Sequence, residues 1–309
     1  MSTSPCGRGV PESKILGRDD CVIPARAIFY ATVRTMSLPP YLILEKAVGE
    51  TPLACVETCR ARHPELTGVP LAYAGRLDPM ASGTLLILVG DTCKQQADWH
   101  NLDKAYDFSI LFGISSDTHD VLGRLTTDPT PPVISATTIN AALSPFTGEI
   151  TLPYPHFSSK TVNGKPLHTW TLENRLSEIT IPTKTSTVYS LTLTSLETIT
   201  RDTLVSEALK KINTIPPVTD PRKALGNDFR RSEIIPDWHH VASSHQLPPH
   251  YHIATLHCIA SSGTYMRTLA HEIARHCGTM GLAWHIHRSM IGIFNPETQT
   301  WRLPEGYVP

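Results

Sequence analysis

The chain has 309 residues, 40% of them hydrophobic, and its 27 lysines and arginines nearly balance 28 aspartates and glutamates. That length allows one large or two modest domains with a sizeable core. The formal net charge of -1 gives no overall basic character of the kind that announces a nucleic-acid partner, although a groove can be basic in a neutral protein. No run approaches the roughly 18 apolar residues that a membrane span requires. Seven irregularly spaced cysteines without an N-terminal signal stretch favour a reduced, cytoplasmic protein that does not enter a membrane.

The first part of the chain is predicted to be a mobile arm, then a strand and a helix. Residues 1–36 mix serine, proline, glycine and charges of both signs with little periodicity. Residues 41–46 are expected to form a strand, and Thr51 and Pro52 to begin a helix over 53–62 as its N-cap and first residue. Lys46 ends the strand, where it either neutralises charge near a site or is a solvated lysine.

A turn around Asp78 is the most informative local feature. The aspartate lies between Gly75-Arg76 and Pro79, and an apolar run over residues 84–89 follows. A carboxylate beside an arginine, in a loop restrained by proline and glycine and backed by a buried strand, can be held rigidly as an ionised nucleophile or base. The alternative is an Asp-Pro turn that only joins two elements.

The middle of the chain predicts further strands and one insertion. Residues 104–113 alternate as a strand with Tyr106 near its start. Residues 201–249 are expected to form an insertion with one helix near 204–212 and long loops. Its basic pairs either contact RNA phosphate or, as we prefer, are charges of a solvated and variable loop: Lys210-Lys211, Arg222-Lys223 and Arg230-Arg231.

The last informative block is a strand over 254–260 that leads through Tyr265 and Arg267 into a helix over 268–276. An arginine stays charged at every relevant pH and its fork can meet a carboxylate at two points; the alternative is an arginine paired with any nearby acid. His271-Glu272 is followed by His276, but a zinc-binding pair needs histidines four apart on one helical face. A spacing of five turns the second by roughly 140°, so no metal site is expected.

Taken together, these segments resemble the TruB family of RNA pseudouridine synthases over residues 41–196 and 254–295. Asp78 falls on the family's catalytic aspartate, and the segment containing Tyr265 and Arg267 matches a second family signature. The other positions that match the motif around Asp78 are Gly75, Leu77, Pro79, Ala81, Gly83, Leu85, Gly90 and Lys94. Gly113, Ser116, Thr118, Asp120 and Gly123 fit the family motif that follows the strand of Tyr106.

The resemblance implies a role for each candidate site residue. Arg267 would pair with Asp78, Tyr106 would pack on a flipped uracil, and Tyr265 would line the uracil pocket. Ile286 stands where an apolar residue flanks the base, and Lys46 stands at the lysine of the family's opening motif. Tyr73 replaces a family histidine that is thought to fill the space left by the base, and tyrosine has the flat face that such stacking needs.

The resemblance also implies the architecture. We expect an α+β pseudouridine synthase fold whose mixed, mostly antiparallel curved sheet is flanked by helices, with the active-site cleft across the sheet. Residues 37–299 would form the catalytic domain, including the insertion, and 300–309 a tail. No C-terminal RNA-binding domain, such as many relatives carry, is expected.

The implied activity is isomerisation of uridine to pseudouridine at position 55 in the T-arm of tRNA, without cofactor or metal. Asp78 would act either as a nucleophile at C1′ or C6 or as a base at the 2′ position of the ribose. The protein would act as a monomer without an obligatory protein partner. An alternative is a catalytically weak RNA-binding or tRNA-folding chaperone, which the near-neutral charge favours; a subunit that depends on a guide RNA ranks last.

Overall fold

A computed structural model describes residues 38–218 and 228–303. The predicted arm over 1–36, the basic pair at 222–223 and most of the predicted tail lie outside the described residues. The helices are α1 Pro52–Arg62, α2 Gln96–Trp99, α3 Ala136–Leu143, α4 Leu167–Leu172, α5 Arg201–Asn213, α6 Arg231–Ser243 and α7 Met266–His276. In these two ranges no helix is both long and apolar enough to cross a membrane.

The strands are β1 Tyr41–Lys46, β2 Leu71–Ala74, β3 Ala81–Val89, β4 Asp103–Phe112, β5 Ile114–Ser116, β6 Leu125–Thr127, β7 Gly148–Pro153, β8 Thr161–Val162, β9 Lys165–Pro166, β10 Thr183–Thr200, β11 His250–Ala260, β12 Gly281–Asn295 and β13 Thr300–Arg302. The main sheet runs β1-β3-β12-β4-β11-β10-β7, with β2 beside β3 and β13 beside β12. Its pairings are antiparallel except that β3 and β12 run parallel. The predicted α+β class with a mixed, mostly antiparallel sheet is confirmed.

Helices cover both faces of this sheet. Successive residues of a strand point to opposite faces, so Ile110 and Leu111 of β4 enter different cores. Ile110 packs with α3 and α7, whereas Leu111 packs with α5 and α6. A third cluster lies between α1 and the strands β1, β2 and β3. As predicted, Thr51 caps α1, accepting a hydrogen bond from the Ala54 nitrogen at 3.1 Å.

The insertion differs from the sequence expectation. It contains two helices, α5 and α6, where one helix and long loops were predicted. Pro236 lies inside α6, where proline removes a backbone donor, yet Ile234, Trp238 and Val241 lie on one face and are fully buried. For the described residues the predicted solvated, variable loop is therefore wrong: the insertion shares a core with the sheet.

Candidate active site

Asp78 lies in the turn between β2 and β3, where two cores meet. Leu77 on one side of it is buried in the core under α3 and α7, and Met80 on the other side is buried in the core under α5 and α6. The Pro79 carbonyl accepts a hydrogen bond from the Gly49 nitrogen at 2.8 Å. The backbone of Asp78 is thus anchored from three directions, while its side chain stays 42% exposed.

Arg267, at the start of α7, meets that carboxylate with two nitrogens. Its Nε donates to Asp78 Oδ2 at 2.7 Å and its Nη2 to Oδ1 at 3.3 Å. The remaining directions of the fork are occupied by backbone carbonyls, Thr118 at 2.8 Å from Nη1 and Phe157 at 3.2 Å from Nη2. Because Arg267 is only 5% exposed, its donors need these acceptors.

A second carboxylate faces the same guanidinium. Asp120 Oδ2 lies 3.9 Å from Arg267 Nε, and Oδ1 accepts hydrogen bonds from Thr118 Oγ1 at 2.6 Å and the Leu122 nitrogen at 2.9 Å. Burial raises the pKa of Asp120, although Arg267 opposes that rise. Burial alone would lower the pKa of Arg267, but attraction to Asp78 and Asp120 outweighs it and raises that pKa. Arg267 therefore carries a permanent charge between two acids.

Tyr106 and Arg288 stand opposite each other on β4 and β12. Burial raises the pKa of the Tyr106 phenol, although the charge of Arg288 opposes that rise, so the phenol stays protonated. Arg288 is 1% exposed and donates to the carbonyls of Thr84 at 2.8 Å and Gly75 at 3.3 Å. It therefore ties β12, the strand that pairs with β4 at Tyr106, to the turn that carries Asp78. The sequence predicts no role for Arg288.

A cleft opens at the free side of Asp78. Its walls are Asp78, Pro79, Thr118, Asp120, Leu122, Phe157, Phe229, Arg230 and Arg267. Phe229 and Arg230 come from the insertion, and sequence reasoning did not place them here. Because the Asp78 side chain is 42% exposed and lines this cleft, a ligand that enters the cleft can reach its carboxylate.

Comparison with known proteins points to one family. Residues 69–208, which contain Asp78, Tyr106 and Asp120, match the model of the TruB family pseudouridylate synthase (N terminal domain). This segment of the chain is therefore similar to the TruB N-terminal domain. Arg267 lies outside the matched segment and is brought to it by the fold.

Two curated relatives carry the name "tRNA pseudouridine synthase B". The protein of Syntrophus aciditrophicus is 33% identical over 150 residues, 48% of this chain and 46% of that protein. The protein of Aromatoleum aromaticum is 27% identical over 257 residues, 83% of this chain and 64% of that protein. The chain thus spans less than two thirds of the length of either relative. A crystal structure of a Cbf5-Nop10-Gar1 complex superposes with a TM-score of 0.48 at 14% identity, covering 88% of this chain and 59% of that chain.

The other residues predicted from the TruB resemblance do not line the cleft and lie in different surroundings. Tyr265 lies in the turn before α7, and its ring packs edge-on against that of Tyr154, with ring centroids 5.4 Å apart. Burial raises the pKa of Tyr265. Ile286 is 6% exposed on β12 and belongs to the same apolar cluster as Tyr106. Tyr73 is half-buried on β2 and packs against the cluster beneath α1.

Lys46 is fully buried at the end of β1. Its Nζ donates to the carbonyls of Ala47 at 2.9 Å and Glu50 at 2.8 Å, and burial lowers its pKa to about 8. It thus closes the turn between β1 and α1, the turn whose Gly49 binds Pro79. On sequence grounds Lys46 is interpreted either as a charge near the site or as a solvated lysine. Neither interpretation includes this contact, which braces the turn between β1 and α1.

The histidines of α7 are engaged elsewhere. The ring of His271 stacks on His119 with centroids 4.0 Å apart, and His276 Nδ1 lies 3.0 Å from the Glu272 carbonyl. Over residues 38–218 and 228–303 no group of three or more histidine, cysteine or acidic side chains is arranged to hold a metal ion.

Proposed function

We propose that the protein is an RNA pseudouridine synthase that converts a uridine of tRNA to pseudouridine, with position 55 of the T-arm as its target. One observation carries the proposal: in a chain whose residues 69–208 match the TruB family model, a half-exposed Asp78 carboxylate is held by the two-point contact of buried Arg267. That carboxylate lines the cleft, where a substrate atom can approach it.

Pseudouridine formation is an isomerisation. The bond from N1 of uracil to C1′ breaks, the base turns, and C5 bonds to C1′ while the C5 hydrogen leaves to solvent as a proton and N1 takes up a proton. Asp78 would serve as the nucleophile at C1′ or C6, or as the base that removes the 2′ proton. Either role needs an ionised, fixed carboxylate, and Arg267 favours the ionised form because its charge is adjacent and permanent.

The aromatic residues would receive the base. Tyr106 would pack on the uracil with its protonated phenol as a hydrogen-bond donor or acceptor, while Tyr265 and Ile286 would line the pocket. Taking a nucleotide out of its stack costs a few kcal/mol, which a stacking side chain offsets in part. Tyr73 is the candidate for that stacking role, and Lys46 would act by bracing the turn that contacts Pro79.

The proposed partner is the tRNA alone. Asp78, Tyr106 and Arg267 all come from one chain, which supports action as a monomer without an obligatory protein partner. We take residues 37–299 as the catalytic domain, with the insertion included because α5 and α6 share a core with the sheet. The cytoplasmic location stays a prediction.

The test is to map pseudouridine in an unmodified tRNA transcript after incubation with the purified protein. Carbodiimide adducts located by primer extension should appear at the T-arm uridine, and should vanish in a transcript that carries cytidine there. The oligomeric state can be read by light scattering on the same sample. Binding of the transcript with improved tRNA folding but no pseudouridine would instead favour the chaperone.

A further inference from the structure

Arg230 is a basic residue of the insertion that reaches the Asp78 cleft. Its guanidinium pairs with the carboxylate of Asp117 through two contacts, Nη1 to Oδ2 at 2.6 Å and Nη2 to Oδ1 at 2.9 Å. The same group lies over the ring of Phe157, 4.4 Å from the centroid. Its side chain is only 13% exposed, so the charge of Arg230 is largely shielded from solvent and is already paired with Asp117.

The backbone that carries Arg230 is strained. Asp228, Phe229 and Arg230 are consecutive non-glycine residues with φ of 54°, 56° and 57°, a left-handed conformation that side chains disfavour. Such a conformation persists only where surrounding contacts impose it, and it recurs at functional sites. Here Asp228 accepts from the Val218 nitrogen at 2.9 Å and from Arg231 Nε at 3.0 Å, and Arg230 is held by Asp117.

Arg230 joins the two segments that hold Arg267. Asp117 precedes Thr118, whose carbonyl accepts from Arg267 Nη1, and Phe157 supplies the carbonyl that accepts from Nη2. Arg230 pairs with the first segment through its charge and stacks on the second through its planar face. A guanidinium can make both contacts at once because it is a flat fork.

We propose that Arg230 is a positioning residue: by clamping Asp117 to Phe157 it fixes the two carbonyls that aim Arg267 at Asp78. Its catalytic consequence rests on the proposed function. Without the clamp the carbonyls of Thr118 and Phe157 separate, the fork of Arg267 turns, and Asp78 loses its two-point contact. Since Asp117 already neutralises Arg230, its task is geometric and does not require contact with an RNA phosphate.

The experiment compares Arg230→Gln, Arg230→Lys and Arg124→Gln with the unaltered protein. Arg124 is the matched control because it joins the same loop to α6, through Glu233 at 2.6 Å and Asp237 at 2.7 Å, without touching Phe157. For each protein one measures the single-turnover rate on saturating tRNA transcript, the Kd for that transcript at two salt concentrations, and the urea midpoint.

Arg230→Gln should lower the rate about 10- to 100-fold, the scale of a small misplacement of catalytic groups, with Kd changed by less than about 2-fold. Arg230→Lys should recover part of the rate, since it keeps a charge for Asp117 but not the flat stack. Arg124→Gln should keep the rate. An unchanged rate in Arg230→Gln would overturn the proposal. If that unchanged rate came with weaker binding and a smaller salt dependence of Kd, the result would indicate a phosphate contact instead. The proposal would also be overturned if the rates of both glutamine variants simply followed their urea midpoints.

A crystal structure of Arg230→Gln separates this proposal from the proposed function. Arg267 should turn away from Asp78 in that variant, whether or not the unaltered protein modifies tRNA. If the unaltered protein leaves tRNA unmodified and Arg267 still turns, the function is wrong and the positioning role stands. If tRNA is modified and Arg267 stays in place, the positioning role is wrong.

Discussion

Arg267 illustrates why this site needs an arginine rather than any cation. Its side chain is buried and makes contacts in four directions, two to Asp78 and two to the carbonyls of Thr118 and Phe157. A lysine carries a point charge with three donors and could not fill a planar arrangement of this kind. Replacement would leave buried carbonyls without partners, at a cost of about 1–3 kcal/mol each.

His119 is a half-buried residue next to Thr118 and Asp120. Its ring stacks on His271 and its Nδ1 lies buried without a hydrogen-bond partner. Burial, reinforced by His271, Arg267 and His156, lowers the pKa of His119 to about 3 from 6.5. The folded protein therefore holds His119 neutral where the unfolded chain would protonate it.

We predict an acid-sensitive stability that His119 contributes to. Since the folded pKa lies below the unfolded one, the contribution is complete above pH 6.5 and is lost as the pH falls toward 3. The loss should be ~1 kcal/mol per pH unit over that window, less than the full 1.4 because the ring is not fully buried. Asparagine tolerates the left-handed backbone at this position, φ 61°, so His119→Asn should flatten the slope between pH 5 and 7 in urea unfolding.

The control for that measurement is His239→Asn, on an exposed residue of α6. It should leave the pH dependence of the free energy of unfolding as it is. An equal slope in His119→Asn and the unaltered protein would contradict the account of His119.

At the residue scale the sequence predicted contacts that lie inside contiguous motifs and missed those that depend on the fold. Asp78 and Arg267 each stand in a recognisable segment, and the structure brings them to 2.7 Å. Arg230 stands in no such segment. Its contacts with Asp117 and Phe157 arise only when α6 folds back on the sheet, and no local pattern encodes that.

At the scale of elements, β3 begins directly after the turn of Asp78 and pairs with β1 on one side and β12 on the other. Gly83 faces Lys46 of β1 and Arg288 of β12 in register. Its φ is 109°, and a Cβ placed there would overlap the backbone carbonyl of Arg288 and lie 2.7 Å from its nitrogen. Glycine lets the two strands approach closely enough for Arg288 to reach the carbonyls of Thr84 and Gly75.

Gly83→Ala should therefore lower the free energy of unfolding by about 3 kcal/mol or more, since it combines left-handed strain with a backbone overlap. Gly90→Ala is the matched control: its φ is 63° but nothing lies within 4 Å of the added Cβ, so the strain alone should cost about 1 kcal/mol. Urea unfolding measures both. Similar losses in the two variants would show that the overlap is relieved at no cost.

The sequence predicted β3 and β4 well because their apolar runs are strong local signals. It missed α6 because Pro236 and several histidines hide the spacing of Ile234, Trp238 and Val241, which becomes decisive only when a core is available to bury them. Local chemistry opposed the helix and tertiary packing outweighed it.

On the scale of the whole molecule, the insertion closes the second face of the sheet. Trp238 of α6 is fully buried, packs against Trp284 of β12 with ring centroids 6.2 Å apart, and donates to the Val121 carbonyl at 3.3 Å. Val121 adjoins Asp120. The hairpin of α5 and α6 is therefore a layer of the same folding unit as the site.

Trp238→Ala should destabilise the entire protein by ~3–5 kcal/mol, the usual loss for a buried aromatic, in one cooperative transition. Far-UV circular dichroism and tryptophan fluorescence should report the same urea midpoint. Leu53→Ala, at a side chain 55% exposed, should change stability by no more than ~0.5 kcal/mol. Two separate transitions, with the sheet surviving loss of the hairpin, would contradict a shared core.

The most direct test of the central claim, that Asp78 performs the isomerisation, is tritium release from a tRNA transcript labelled at C5 of uridine. Under single-turnover conditions the unaltered protein should release tritium from the T-arm site, and Asp78→Asn should bind the transcript yet be slower by at least ~10²- to 10⁴-fold. Asp98→Asn, on an exposed residue of α2, should match the unaltered protein. Release by Asp78→Asn at the unaltered rate, or binding without release by the unaltered protein, would contradict the account.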